Sequence, residues 1–426
     1  HDLRHLCENP PQVIDWDFEP VQPQATQSLA FCRKLKAEIS KLPKSSCCVL
    51  AGGTENLGAL FSELFDRTQD PGDSAPPRLL GPTAEQMSLL REPRNLASWC
   101  QDLEVGFPWT QCVAEKNDNF GGVRLPSSET RWLRKSVHSA GGLGVREVTP
   151  GETNWENGEC SGGYLQEFVP GTAVGVTFCL TDRRRPQFLG ATRALHAAEW
   201  PGPLPFVYRG SLGPIALSAT MLEQLERLAE KIQQETGLRG WLPMDLIVAP
   251  DDRLWLLEIN PRWTAGMEVL HRSGINPVAF HLDAFGVTPA SPDHSLSRAL
   301  DATTFTVDAT TSETSPQRAA VKAIVYADRD YELTRSTIEK LQDLWSQYPD
   351  RFADIPSFEQ VDALSGRLGV SRGQPICTVR AELPWNPLVA QAMRPTNDGD
   401  SRCKEVEATL LQSLHGARKE ALSLLQ

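Results

Sequence analysis

Two strand-length apolar runs, Leu242–Val248 and Arg253–Ile259, flank the turn signal Ala249-Pro-Asp-Asp252. That pattern predicts a β-hairpin. Asp245 and Glu258 stand 258 − 245 = 13 positions apart, a spacing that suits partners across the turn. Strand alternation sends Glu258 and Asn260 to one side and Leu257 and Ile259 to the core. Three oxygen-bearing side chains then converge, with Arg262 just beyond. Carboxylate and amide oxygens suit a hard divalent cation that holds nucleotide phosphates. Arg262 is placed to meet a developing negative charge. A lone E-x-N is more often a charged strand end. Asp245 and Arg262 tip the reading toward a metal and phosphate site.

Two further segments carry weaker signals. In Trp132-Leu-Arg-Lys135, a strand lysine precedes the glycine-rich run Ser139-Ala-Gly-Gly-Leu-Gly144. Lys135 can hold phosphate oxygens, and the N–H groups around Gly141, Gly142 and Gly144 can cap them. The G-K-[ST] ending of a P-loop is absent, and a glycine run alone is more often a plain turn. Leu165-Gln-Glu-Phe-Val169 is a strand ending at Pro170-Gly171. Its backbone, with Gln166, Glu167, Phe168 and Val169, is a candidate reader of a nucleotide base. An ordinary strand end fits that segment equally well. Arg193, after another strand, is either a second phosphate contact or a solvated surface residue. His196 and His271 read as structural.

The 426 residues exceed one ordinary core and predict several compact units. Residues 1–108 read as an α/β unit: a strand at Ser46–Leu50, a glycine turn through Asn56, a helix over Leu57–Arg67, a strand end at Leu79–Leu80, then helices over Pro82–Leu90 and Arg94–Leu103. Residues 109–287 hold the glycine loops and antiparallel strands, with an amphipathic helix over Met221–Thr236. Residues 288–318 are polar and read as a linker or a loosely packed crossing segment. Residues 319–426 form a smaller α+β unit closed by a helix over Cys403–Leu425.

The formal net charge of −12 disfavours nonspecific nucleic-acid binding, which needs a phosphate-neutralising surface. No apolar run reaches membrane-span length, and no signal peptide opens the chain. The ten cysteines include no C-x-x-C pair and no zinc spacing, so a reduced cytoplasmic setting is expected. The chain begins at His1, so a segment upstream of it is expected to be missing. Homodimer formation is compatible with these features.

Strand lysine, glycine loop, base-reading hinge, Asp and E-x-N-x-R, in this order, resemble the ATP-grasp superfamily. The resemblance spans about Pro108–Phe285. It implies an α/β ATP-grasp fold with an N-terminal pre-grasp α/β domain and a smaller C-terminal α+β domain. It also implies ATP as cosubstrate and Mg²⁺ (or Mn²⁺) on Asp245, Glu258 and Asn260. Lys135 would lie on the phosphates, Glu167, Phe168 and Val169 at adenine, and Arg262 near the transferred phosphoryl group. Gly373-Gln-Pro-Ile-Cys-Thr378 is similar to the closing domain of the biotin-carboxylase-related branch. Val49–Asn56 and Tyr208–Pro214 look like its carboligase-like members, some of which accompany one-carbon enzymes using tetrahydromethanopterin or methanofuran. The implied activity joins a small-molecule carboxylate to an amine through an acyl phosphate, addition of an amino acid such as glutamate to a cofactor precursor included. A bicarbonate-activating carboxylase and a non-catalytic nucleotide-binding regulator are the competing readings. One departure stands out: Gly171-Thr-Ala-Val-Gly175 lacks the acidic residue that many grasp enzymes place on the ribose.

Overall fold

The computed structural model describes residues 47–50, 78–112, 119–120, 130–136, 141–148, 163–182, 184–287, 318–353, 367–384 and 401–425, with isolated positions at 37, 39, 41 and 65. The expected glycine turn after Leu50, most of the Leu57–Arg67 helix, Ser139 and Ala140, and the 288–317 crossing lie outside them.

The N-terminal unit contributes parallel strands β1 (Cys47–Val49) and β2 (Arg78–Leu80). Helices α1 (Ala84–Arg91) and α2 (Pro93–Cys100) follow. A capping box starts α1: Thr83 accepts from the Gln86 backbone while Gln86 returns a bond to Thr83. Pro93 opens α2, where a missing N–H costs nothing. The predicted helix to Leu103 stops at Cys100, because Asp102 and Glu104 take positive φ and cannot continue a right-handed helix.

A small antiparallel sheet follows, built from β3 (Thr110–Cys112), β4 (Asn119–Phe120), β5 (Trp132–Ser136), β6 (Arg146–Val148) and β7 (Gly163–Glu167). Its order is β4-β3-β7-β5-β6. The larger sheet takes β8 (Thr172–Thr181), β9 (Arg184–Ala194) and β10 (Gly210–Gly213). After helix α3 (Ala219–Thr236) it gains the hairpin β11 (Gly240–Val248) and β12 (Leu254–Ile259). Helix α3 packs Met221, Leu225, Leu228, Ala229 and Ile232 into the main core, between a Ser218 cap and a left-handed Gly237 stop. Helices α4 (Ala265–Arg272) and α5 (Pro277–Ala284) come next.

The C-terminal residues give β13 (Arg318–Tyr326), β14 (Tyr331–Thr334), helix α6 (Arg335–Gln347), β15 (Phe352–Ala353), β16 (Arg367–Val370), β17 (Pro375–Pro384) and helix α7 (Ser401–Ser423). Three of these strands do not form a sheet of their own. They extend the larger sheet to eight strands in the order β12-β11-β8-β9-β10-β13-β17-β15. The polar stretch before β13 hid this continuity from sequence reasoning, because strand pairing across a long crossover leaves no local signal. Among the described residues no helix is long and apolar enough to cross a membrane.

His281 ties the N-terminal unit to this sheet. Its ring accepts from the Trp241 backbone N–H at 3.1 Å through Nδ1 and donates to the Leu80 carbonyl at 3.0 Å through Nε2. The ring stacks on Trp241 at 3.9 Å. Burial pushes its pKa down to about 4, against the pull of the Leu80 bond. A second ring proton would face the Trp241 donor. Protonation therefore favours the unfolded chain, and stability falls as pH drops from near 6.5 toward 4. The full effect is about 3 kcal/mol. Denaturant unfolding at pH 7.5 and pH 5 should show about 2 kcal/mol of this loss in the wild type and a shallower one in His281→Gln.

Candidate functional site

The site begins with the hairpin. Its turn closes through an Ala249 N–H to Arg253 carbonyl bond of 2.9 Å, with Asp252 at φ 62°. This register sets Asp245 directly opposite Glu258, and a bulge follows between Asp245 and Leu246. Asn260 leaves the strand with its N–H on the Pro243 carbonyl at 3.0 Å. Its side-chain Nδ2 donates to Asp245 Oδ2 at 2.9 Å and to Glu258 Oε1 at 3.0 Å. Arg262 donates to Asn260 Oδ1 at 3.3 Å and to the Trp263 carbonyl at 3.2 Å. The juxtaposition read from the sequence is therefore present.

Electrostatics ties Lys135 to the same point. Desolvation lowers the Lys135 pKa, and the attraction of Glu258 and then Asp245 opposes it. Desolvation and the Glu258 carboxylate raise Asp245 above the ordinary carboxylate range. At Glu258 the desolvation is outweighed by the Asn260 hydrogen bond and the Lys135 charge, so its pKa is lowered. Like charges this close do not both ionise freely. A cation between them would remove that conflict.

The small sheet supplies the opposite wall. Lys135 Nζ donates to Gln166 Oε1 at 2.6 Å, and buried Gln166 donates onward to Thr110 Oγ1 at 3.1 Å. Gln166 thus orients the lysine rather than standing in the hinge's open edge. The Glu167 and Phe168 backbone N–H groups bond to the Trp109 and Arg131 carbonyls, each at 2.9 Å. Phe168 lies between the Arg131 guanidinium, 4.0 Å from its ring centroid, and Phe206, at 6.3 Å. Glu167 and Val169 are half-buried beside it. Thr110, Arg131 and Phe206 carried no motif in the sequence, and only folding brings them here.

The glycine turn packs on the segment before β10. Gly141, Gly142 and Gly144 all take positive φ. The Tyr208 N–H donates to the Gly141 carbonyl at 2.9 Å. A Cβ on Gly142 would lie 1.9 Å from the Phe206 carbonyl oxygen. The need for glycine there is a close approach of two backbones as well as a conformation.

Arg193 departs from expectation. Cross-strand partners share a sheet face. Asp245, Gly175 and Thr192 form one row. Arg193, one residue on, must face the other way. There it meets Glu199 at 2.8 Å and Glu407 of α7 at 3.1 Å. It anchors the terminal helix and is not brought into the cleft, so the phosphate reading of Arg193 is set aside. His196 pairs with the same Glu199 at 3.2 Å.

Residues 95–266 match the ATP-grasp domain family. The matched stretch lies within an α/β fold and holds Lys135, the glycine turn, the Glu167–Val169 segment and the Asp245–Arg262 cluster. A comparison with curated protein sequences returns no match. Among solved structures, the chain is similar to L-amino acid ligase from Bacillus licheniformis at 13% identity and TM-score 0.52, covering 91% of this chain and 84% of that one. It is also similar to biotin carboxylase from Campylobacter jejuni at 13% identity and TM-score 0.52, covering 87% and 78%. N5-carboxyaminoimidazole synthetase from Staphylococcus aureus matches at 12% identity and TM-score 0.52, covering 92% and 85%. At such identities the likeness establishes the fold.

Gly142→Ala is expected to lift the glycine turn off Phe206. The melting midpoint should fall by only roughly 2–4 °C, while limited proteolysis should cut the turn markedly faster.

Proposed function

We propose that the chain is an ATP-dependent carboxylate–amine ligase that works through an acyl phosphate. One observation carries the reading: Asp245, within β11, meets Glu258 and Asn260 at the end of β12, within the field of Lys135 from the other sheet. Among the described residues no cluster of three His, Cys, Asp or Glu side chains gathers for a metal. The donor set instead joins two carboxylates to an amide, all hard oxygens of the kind Mg²⁺ or Mn²⁺ takes. The Asn260 NH₂ group donates to both carboxylates, and a half-turn of that amide presents its oxygen to the same place. Asp245, Glu258 and Asn260 would hold the cation, which when bound supplies charge neutralisation to the nucleotide phosphates.

The chain's own groups do the rest. The hinge at Glu167–Val169 takes the adenine, with Phe168 against its ring. Lys135, positioned by Gln166, lies on the phosphates, and the N–H groups of the Gly141–Gly144 turn cap them. Arg262 faces the transferred phosphoryl group. A substrate carboxylate oxygen attacks the γ-phosphorus, the bond to the β–γ bridging oxygen breaks, and ADP leaves. The amine nitrogen then attacks the acyl carbon, phosphate departs with the bonding electrons, and the nitrogen gives up its proton. The glycine turn, seated on Phe206 and Tyr208, keeps water from the acyl phosphate. No protein nucleophile is required. Amino acids, glutamate among them, are the first amines and carboxylates to try.

A screen of ADP release against carboxylate and amine pools, with and without bicarbonate, tests the proposal. Release that needs both a carboxylate and an amine is the expected result. Release driven by bicarbonate without an amine would establish the carboxylase reading instead. Glu258→Gln should cut turnover at least ~10²-fold with an unchanged melting profile, and undiminished turnover would remove the metal assignment.

A further inference from the structure

The residues after Arg262 lead into α4, whose N-cap Thr264 accepts from the Met267 N–H at 3.4 Å. One turn into that helix, Glu268 is 3% exposed. It is held from two sides. Lys322 Nζ of β13 donates to Glu268 Oε2, and Arg380 Nη2 of β17 stands 2.6 Å from Oε1. Lys322 and Arg380 are register partners, exposed by 1% and 2%. A turn farther along α4, Arg272 pairs with Glu382 of β17 at 2.5 Å, and Arg318 of β13 reaches the same carboxylate at 2.6 Å. The helix that follows the phosphate-facing arginine is thus locked by alternating charges to strands from the far end of the chain.

This lock lies on the site's face of the sheet. Ser211, Lys322 and Arg380 form a cross-strand row that starts at Ala194. Ala194 is two residues from Thr192, which shares a row with Asp245. At the near end of α4, a Cβ on Gly266 would come 2.8 Å from Thr192 Oγ1. The helix therefore sits tight against the site's floor with no slack to absorb a shift. Buried charges held between segments far apart in sequence are poor stabilisers by comparison with apolar packing, but they fix a register closely.

We propose that Glu268, clamped by Lys322 and Arg380, is the positioning group that sets Asn260 and Arg262 in working geometry, so that the C-terminal unit completes the phosphate end of the site without touching substrate. The inference rests on the nucleotide-site reading above. In it, the clamp fixes one end of the 260–264 segment, while β12 fixes the other and the Trp263 N–H to Leu50 carbonyl bond of 3.0 Å holds its middle. Loosening one end displaces the arginine and the amide but leaves the adenine hinge, on the other sheet, untouched.

The test uses the full chain, ATP and Mn²⁺ as probes, and the variants Glu268→Gln, Arg380→Met and Arg380→Lys. Two readouts are followed: steady-state ADP release, and the electron paramagnetic resonance spectrum of Mn²⁺ with ATP on the protein. Glu268→Gln and Arg380→Met are expected to lower kcat about 10–100-fold, keep the KM for ATP within about threefold, and change the Mn²⁺ spectrum. Arg380→Lys should fall between Arg380→Met and the wild type. A purely structural role would lower the melting temperature without splitting kcat from KM. The clamp is refuted if Glu268→Gln, melting cooperatively, keeps the wild-type spectrum and a kcat within twofold. Should Glu268→Gln not fold, the two Arg380 variants decide by the same measures. If Glu258→Gln also leaves the spectrum unchanged, the nucleotide-site reading has failed rather than the clamp, and the Mn²⁺ arm separates the two even where no turnover is found.

Discussion

Two carboxylates face each other across one antiparallel strand pair, and a single amide holds them there. Asn260 donates to both Asp245 and Glu258. Without that bridge the two acids would repel across a partly desolvated cleft. The hairpin register, the bulge after Asp245 and the exit of the chain at Asn260 all serve to bring these groups within one hydrogen bond of each other. Lys135 from the other sheet then adds the balancing charge. A site built this way has a cation-shaped conflict at its centre, which is a workable starting point for gripping a charged nucleotide.

The arrangement of sheets explains how so few residues can be held so closely. The small sheet carries the lysine and the hinge, and the large sheet carries the acids. Between them the glycine turn lies on the backbone of Phe206 and Tyr208. Tyr208 is fixed in turn by the Tyr326 hydroxyl at 2.7 Å, and the neighbouring Arg209 guanidinium gathers the Leu204, Pro205 and Val207 carbonyls. The C-terminal strands therefore support both flanks of the cleft, the glycine-turn seat through Tyr326 and helix α4 through Lys322 and Arg380. That gives the continuous eight-stranded sheet a role beyond burial of apolar area.

Much of the local structure was legible in the residues. The hairpin, the α3 helix with its apolar face, and the strands β1 and β2 follow from periodicity and turn chemistry, and the structure places them within a few residues of expectation. The Asp245–Glu258 pairing was legible because a two-strand register is a counting problem. Arg193 was not, since its partners are Glu199 and the remote Glu407, and a strand position alone does not say which face is the site. Gln166 was assigned to the base edge, yet its amide supports Lys135 through a cross-strand contact that a linear reading does not reveal.

By itself, the sequence determined what is short-range: which segments are strands and helices, and which oxygen donors cluster at one strand end. Those depend on alternation, capping and turn residues a few positions apart. Only the tertiary structure decided that the C-terminal strands join the larger sheet, that Arg193 turns to the far face, and that Glu268 is gripped by Lys322 and Arg380. These pairings close loops of tens to hundreds of residues. They are selected by the burial and charge balance of the whole fold, which leaves no periodic trace along the chain.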